Sequence, residues 1–430
     1  MSDSAVDELR VLELFSGIGG MHRACELVES VECGTKLNVV AAVDINTSAN
    51  AIYRHNHPDT THWQRDIKGL TAKDIKKIRP DILLMSPPCQ PHTRQGKRRD
   101  IQDPRSDGLK HLLQLIPEVP SLKYVLLENV QGFESSESRD LVLATLSGEG
   151  FYWKEFLINP NQLNIPNSRL RYYLVARKGC VSWGSDPHLP TEQDCVLNVQ
   201  SDNETSDSKV NKNLTELESN MTVCESNVTI DECNVKNNSA GNATNKECNV
   251  TSQDGNVIIN EHNVARLHTD FSSLKISVEK LGLNQASGSL DSFLQAQDED
   301  VNEYLLDDKI LPKYGKVLDI VDRSSHRTCC FTKAYGHYFE GTGSVLQQGG
   351  DRSAAYAQAE SVADSPEEVS RILSELKLRF FTPTEISQLM GFPKTFSFPD
   401  ETTRKQKYKT LGNSLNVHVV AILLHFLIYC

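Results

Sequence analysis

Long apolar runs are scarce in this chain of 430 residues. The most hydrophobic stretch, Val417 to Tyr429, falls short of the ~20 residues a membrane span needs. Met1 to Arg10 has no apolar core of the secretory kind, so a chain working off the membrane, in the cytoplasm and also open to the nucleus, is expected. Hydrophobic residues make up only 38% of the chain, low for one fully packed globule of this length, and a segment outside the core is expected. Paired short cysteine spacings are also missing among the 11 cysteines, which excludes a zinc-ribbon pattern and favours reduced thiols. Cys224, Cys233 and Cys248 with His262 and His268 are too irregularly spaced for a metal centre, and no metal is expected.

Positive charge is in deficit overall, with a formal net charge of −12, which alone argues against a nucleic-acid partner. The acid is unevenly placed. Residues 191–308 hold 22 acidic against 7 basic side chains, and the rest of the chain 35 against 38. The remainder is mildly basic, with clusters at Lys76-Lys77-Ile78-Arg79, Arg94-Gln95-Gly96-Lys97-Arg98-Arg99 and Arg404-Lys405-Gln406-Lys407-Tyr408-Lys409 that can neutralise phosphates, or simply be solvated faces.

Residues 1 to about 185 alternate strand-like and helix-like segments. Strands are expected at Val11 to Phe15, Val39 to Asp44, Ile82 to Ser86, Tyr124 to Glu128, Glu155 to Asn159 and Tyr172 to Ala176, and helices at Met21 to Ser30 and Thr47 to His55. This rhythm predicts an α/β fold with a Rossmann-like, doubly wound, mostly parallel sheet. From about Pro187 to Asp300 the composition turns to Asn, Ser, Thr and Asp with few aromatics, the signature of disorder. Order is expected to return near Tyr304, with a small β-rich region at Arg327 to Leu346 and helices at Thr382 to Leu389, capped by Thr382, and at Val417 to Leu427.

Three of the strands end in polar or glycine-rich clusters: Ser16-Gly17-Ile18-Gly19-Gly20, Pro87-Pro88-Cys89-Gln90 and Glu128-Asn129-Val130. Open α/β sheets carry their chemistry at these strand ends. The glycine turn departs from the dinucleotide fingerprint, because its third glycine is adjacent to the second instead of three residues on, which disfavours a pyrophosphate. Asp44, ending the next strand, can accept hydrogen bonds from both ribose hydroxyls, and Asp66 can receive an adenine amino group. A nucleoside without diphosphate fits, and S-adenosylmethionine is one such ligand.

In order, Leu14-Phe15-Ser16-Gly17-Ile18-Gly19-Gly20, Asp66-Ile67, Ser86-Pro87-Pro88-Cys89-Gln90-Pro91, Glu128-Asn129-Val130, Asn167-Ser168-Arg169-Leu170-Arg171 and Leu411-Gly412-Asn413-Ser414 resemble the motif series of the cytosine-5 methyltransferases. The match covers about 1–185 and 376–430. Cys330-Phe331-Thr332-Lys333 with Tyr335-Gly336 resembles the target-recognition signature of the branch acting on the anticodon loop of aspartate transfer RNA. Asn167 agrees, since DNA-acting relatives usually carry Gln there. His92 departs from that branch, which usually has Phe at this point of the catalytic loop.

The resemblance implies S-adenosylmethionine as cofactor, held by Phe15, Gly17, Gly19, Asp44, Ile45, Asp66, Ile67, Pro87, Asn413 and Ser414. It implies catalysis by Cys89, Glu128, Arg169 and Arg171, and substrate contacts by Asn129, Cys330, Phe331, Thr332, Lys333 and Tyr335. The residue types suit the reaction: a thiolate adding to carbon 6 activates carbon 5, and a partly protonated carboxyl at ring nitrogen 3 draws off charge. Phe331, Tyr335 and Tyr338 can stack RNA bases or form their own core. The expected organisation is a methyltransferase domain at 1–185 and 376–430, an acidic insertion at 186–303 and a recognition subdomain at 304–375. The expected partner is transfer RNA, with DNA as a weak second partner and no membrane, in a monomer. Two rivals stay open: a DNA cytosine-5 methyltransferase, which the same residues would serve, and a catalytically silent RNA-binding protein.

Overall fold

Ile82-Leu83-Leu84-Met85 is buried at every residue, as a central parallel strand covered on both faces must be. It is β4 of the sheet in this computed structural model, which describes residues 7–32, 34–88, 104–179, 251–252, 255–256, 267–268, 272–283, 288–294 and 301–430. The other long strands are β1 Asp7–Leu14, β2 Thr35–Asp44, β3 His62–Gln64, β5 Tyr124–Val130, β6 Phe151–Ile158 and β7 Arg171–Lys178. They lie in the order β6-β7-β5-β4-β1-β2-β3, with Leu267–His268 adding a two-residue edge beside β6. Pairing is parallel from β5 to β3, and β7 runs antiparallel to both β5 and β6. The expected α/β doubly wound sheet is therefore present. Sequence reading missed β3, whose three half-exposed residues carry too little apolar pattern to announce a strand.

Alternation along β1 divides the core. Leu9 and Val11 face one apolar cluster with the helices Gly20–Glu29 and Val417–Tyr429. Leu12 and Leu14 face another with Leu109, Leu112 and Val142 from helices Asp107–Leu115 and Glu137–Gly148, as the two-residue period of a strand requires. The last helix is buried nearly all round, so its hydrophobicity serves the core. Among the described residues the stretch Arg404–Tyr429 has the length and hydropathy of a membrane span, and most of it is buried inside this fold.

The chain divides into two compact units, Met1–Leu189 with Asn260–Cys430, and Pro190–Ile259. In the second, the described residues are Thr251–Ser252 paired antiparallel with Gly255–Asn256; the other residues expected to be disordered there lie outside the described residues. Within the first unit, one expectation is corrected. Disorder was expected up to residue 303, but Leu274, Leu281 and Leu290 are buried in the same cluster as the last helix, because these few leucines suffice to bury a segment of otherwise polar composition.

The region expected at 304–375 carries a sheet of Asp319–Val321, Ser344–Leu346 and Arg379–Phe380. Helices Arg352–Ser361 and Pro366–Ser374 pack with it around Leu306, Leu311, Val345 and Leu373. Its sheet reaches past 375 because Val345 pairs with Phe380, and Arg327–Gly343 is irregular chain with turns and bends rather than strand. Helix Pro383–Leu389 starts as expected: Thr382 Oγ1 accepts from Glu385 N–H, and the Glu385 carboxylate accepts from Thr382 N–H.

Candidate functional site

The carboxyl ends of β1, β2, β4 and β5 open onto a cavity of about 350 Å³, within the ~300–1,000 Å³ usual for small-molecule sites. The turn after β1 forms its floor. Phe15 and Gly17 adopt left-handed φ of +56° and +54°, and Gly19, at +86°, precedes the helix Gly20–Glu29. Gly20 leaves no room for a side chain: a Cβ there would lie 2.9 Å from Leu415 Cδ1. The two ends of the chain meet at this point, as the sequence predicts.

Asp44 joins two loops. Gly17 N–H donates to its Oδ2 at 2.9 Å and Asn46 N–H to its Oδ1 at 2.7 Å, while Asn46 caps the helix Thr47–Asn56. Burial raises the Asp44 carboxyl above its ordinary value, and pushes Glu13, on the same cavity wall, up to about 8. Tyr53 Oη donates to Glu13 Oε2 at 2.9 Å. Among the described residues neither carboxyl forms an ion pair. The cavity thus has two carboxyls, Glu13 buried and Asp44 half-buried, without an ion-pair partner among the described residues, fitting a ligand that brings hydroxyls and positive charge.

On the opposite wall, burial raises the Glu128 carboxyl even though Arg171 and Arg169 pull it down. Arg171 Nε sits 3.5 Å from Glu128 Oε1. Arg169 is buried and binds four acceptors: Cys330 Sγ and Phe331 O, each at 3.4 Å, Gly412 O at 3.2 Å, and Ser414 O. One guanidinium thereby joins the chain entering β7, the recognition region and the C-terminal turn, a use of fork geometry that a lysine could not copy. Burial alone would raise the Cys330 thiol, but the two arginines hold it below its ordinary value.

Ten of the expected site residues line this cavity: Phe15, Gly17, Asp44, Ile45, Pro87, Glu128, Arg169, Arg171, Asn413 and Ser414. Ile45 is exposed at its rim. Cys89 lies outside the described residues, as do His92 and the basic run Arg94–Arg99.

The other expected site residues lie off the wall. Gly19 is withdrawn beneath it, where a Cβ would lie 2.8 Å from His57 Nε2. Asp66 caps a short turn through Lys68 N–H at 3.0 Å, and Ile67 is core, so neither lines the cavity. Asn129 is buried and donates to Pro87 O at 3.4 Å, steering the proline loop instead of facing a substrate. Phe331 and Tyr335 are 3% and 4% exposed, so of the two alternatives left open for them they take the core one: each packs edge-on against Phe381 or Phe380. Thr332 and Lys333 form the backbone that abuts Gly412.

Glu13 was missed, although a carboxyl inside the apolar run Val11 to Phe15 is the signal that would have found it. Ser86 was missed as well; its Oγ donates to Phe15 O at 3.1 Å, holding the glycine turn to β4.

A glycine turn and an acidic strand end at the switch of a mostly parallel sheet define a Rossmann-like protein with its cavity at the carboxyl ends of the strands. The family model for C-5 cytosine-specific DNA methylases matches residues 9–428, and the chain belongs to that family. It is 41% identical to the mouse tRNA (cytosine(38)-C(5))-methyltransferase, over 97% of this chain and 93% of the relative. It is 40% identical to the human protein of the same name, over 98% and 100%. A crystal structure of a Spodoptera frugiperda DNMT2 mutant aligns with TM-score 0.68 and 32% identity, over 97% of this chain and 99% of that one.

Proposed function

We propose that this chain methylates carbon 5 of a cytosine in transfer RNA, in the anticodon loop, with S-adenosylmethionine as methyl donor. The observation that carries this reading is the convergence of Glu128, Arg169 and Arg171 on the cavity that also holds Asp44 and the glycine turn. The relatives quoted above are named for this activity on cytosine 38.

S-adenosylmethionine, when bound, supplies a methyl group on a positively charged sulfur, and its ribose hydroxyls and ammonium suit the uncompensated carboxyls of Asp44 and Glu13. Asp44 would take the ribose, and the positive-φ turn at Gly17 lets backbone approach the ligand closely. Cys89 is the nucleophile of this reading. In the sequence it directly follows Pro88, a wall residue.

Addition of the Cys89 thiolate to cytosine carbon 6 forms a C–S bond and turns carbon 5 into an enamine carbon able to take a methyl group. Glu128, whose carboxyl burial raises above its ordinary value, donates in its protonated form to ring nitrogen 3 and stabilises the charge that addition creates. Arg171 holds Glu128 and offers donors toward the ring carbonyl, while Arg169 fixes the surrounding segments. Loss of the carbon 5 proton and expulsion of the thiolate then restore the ring and free Cys89.

Nucleoside mass spectrometry after incubating the protein and methyl donor separately with transfer RNA and with DNA tests the reading. 5-Methylcytidine in transfer RNA is expected. Methylation confined to DNA would overturn it in favour of the activity for which a 32% identical Dictyostelium discoideum relative is named, DNA (cytosine-5)-methyltransferase.

A further inference from the structure

Four aromatics lie on the segment that follows Arg327, and the fold treats them differently: Phe339 is partly buried and packs against Tyr314 and Phe380. Phe331 and Tyr335 are core, whereas Tyr338 is 61% exposed. We propose that Tyr338 is the platform on which a base of the RNA loop stacks beside the target cytosine. This deepens the preceding section and rests on its reading that the substrate is RNA.

The turn is pinned from beneath. Buried Tyr335 donates its hydroxyl to Ser344 O at 2.6 Å and accepts from Phe381 N–H at 2.9 Å. Gly343, at φ +150°, lies so close to Phe331 and Tyr335 that a Cβ would be 2.7 and 2.6 Å from their rings. Tyr338 is fixed at both ends of its residue: its N–H donates to Ala334 O at 3.1 Å, and its carbonyl accepts from Thr342 Oγ1 at 2.6 Å. His337 stands against its ring at 4.7 Å and 71°. An exposed aromatic on a rigid turn loses little conformational freedom when a base covers it, which favours binding.

Two further observations point to RNA as the occupant. The turn is docked on the cavity wall, since the backbone of Thr332 and Lys333 presses on Gly412, which lines the cavity. Gly336 likewise leaves only 2.9 Å between a notional Cβ and Tyr408 of the adjoining helix Arg404–Asn413. That helix and the turn carry exposed cations, Lys405, Lys409 and Lys333. An exposed aromatic on a turn that itself carries a lysine, packed on a helix that carries two more, suits a single-stranded nucleic acid, whose bases stack while its phosphates are neutralised.

Binding of the full chain to unmodified transfer RNA at fixed salt, followed by fluorescence anisotropy, tests this with Tyr338→Ala and Tyr338→Phe. The alanine variant is expected to bind about tenfold more weakly, the size of one lost base stack, and the phenylalanine variant to match the wild type. Melting temperature should be unchanged in both. Equal binding by wild type and Tyr338→Ala would overturn the proposal, as would equal weakening by both variants, because phenylalanine keeps the ring. Tyr338-dependent binding without any 5-methylcytidine in the RNA would leave this platform standing and refute the proposed reaction instead.

Discussion

Arg171 Nε lies 3.5 Å from Glu128 Oε1, yet the carboxyl still titrates above its ordinary value, because burial outweighs the pull of Arg171 and Arg169. Ionised Glu128 is therefore worse off in the fold than in water. Its protonated form contributes stability that is fully present below the unfolded carboxyl value of about 4.3 and is lost as pH rises through the higher folded value. Glu128→Gln, an uncharged mimic of that form, should melt at or above the wild-type temperature at neutral pH. It should also turn over at least 100-fold more slowly, the lower end of what a positioned acid contributes. A variant that melts lower would show that the charge is needed for the fold.

Glu13 supplies the pH test with the wider window. Its carboxyl is pushed up to about 8 by burial, against the hydrogen bond from Tyr53. Wild-type stability should fall relative to Glu13→Gln by about 1.4 kcal/mol per pH unit between the unfolded value and the folded one, then level off. Urea unfolding from pH 5 to 9 measures this. A constant difference across that range would place Glu13 in contact with water.

Gly412 sits in the helix Arg404–Asn413, where alanine would ordinarily gain about 1 kcal/mol. Here its missing side chain makes room for the backbone of Thr332 and Lys333. Gly412→Ala should lower the melting temperature and reduce turnover, by displacing the recognition turn from the cavity wall. Higher stability with intact turnover would show that the turn is not held there.

Much of this site is legible in the residues alone because parallel strands and their chemistry are written locally. Ile82 to Met85 is apolar throughout, with Pro87 two residues past that buried strand, and Glu128 lies near the end of the buried strand Tyr124–Val130. Asp44 and Gly17 were also legible as cavity residues, although their mutual hydrogen bond has no local signature.

Burial decided by distant partners was not legible. Phe331 and Tyr338 look alike in the sequence, and only packing against Phe381 makes one of them core. Leu274, Leu281 and Leu290 are spread through polar chain, so composition points to disorder where three side chains secure order. Asp66 is an acid in the expected Asp66-Ile67 motif, but the carboxyl turns to cap Lys68, a choice made by two neighbouring residues that no motif reveals.

The central claim is a bond between the Cys89 sulfur and cytosine carbon 6. It is tested most directly by incubating the full chain with S-adenosylmethionine and transfer RNA in which cytosine is replaced by 5-fluorocytosine, whose carbon 5 has no proton to lose. Wild type should accumulate a denaturation-resistant protein–RNA adduct that Cys89→Ala does not form. An adduct that persists in Cys89→Ala, or no adduct with a wild-type chain that methylates ordinary transfer RNA, would contradict the account.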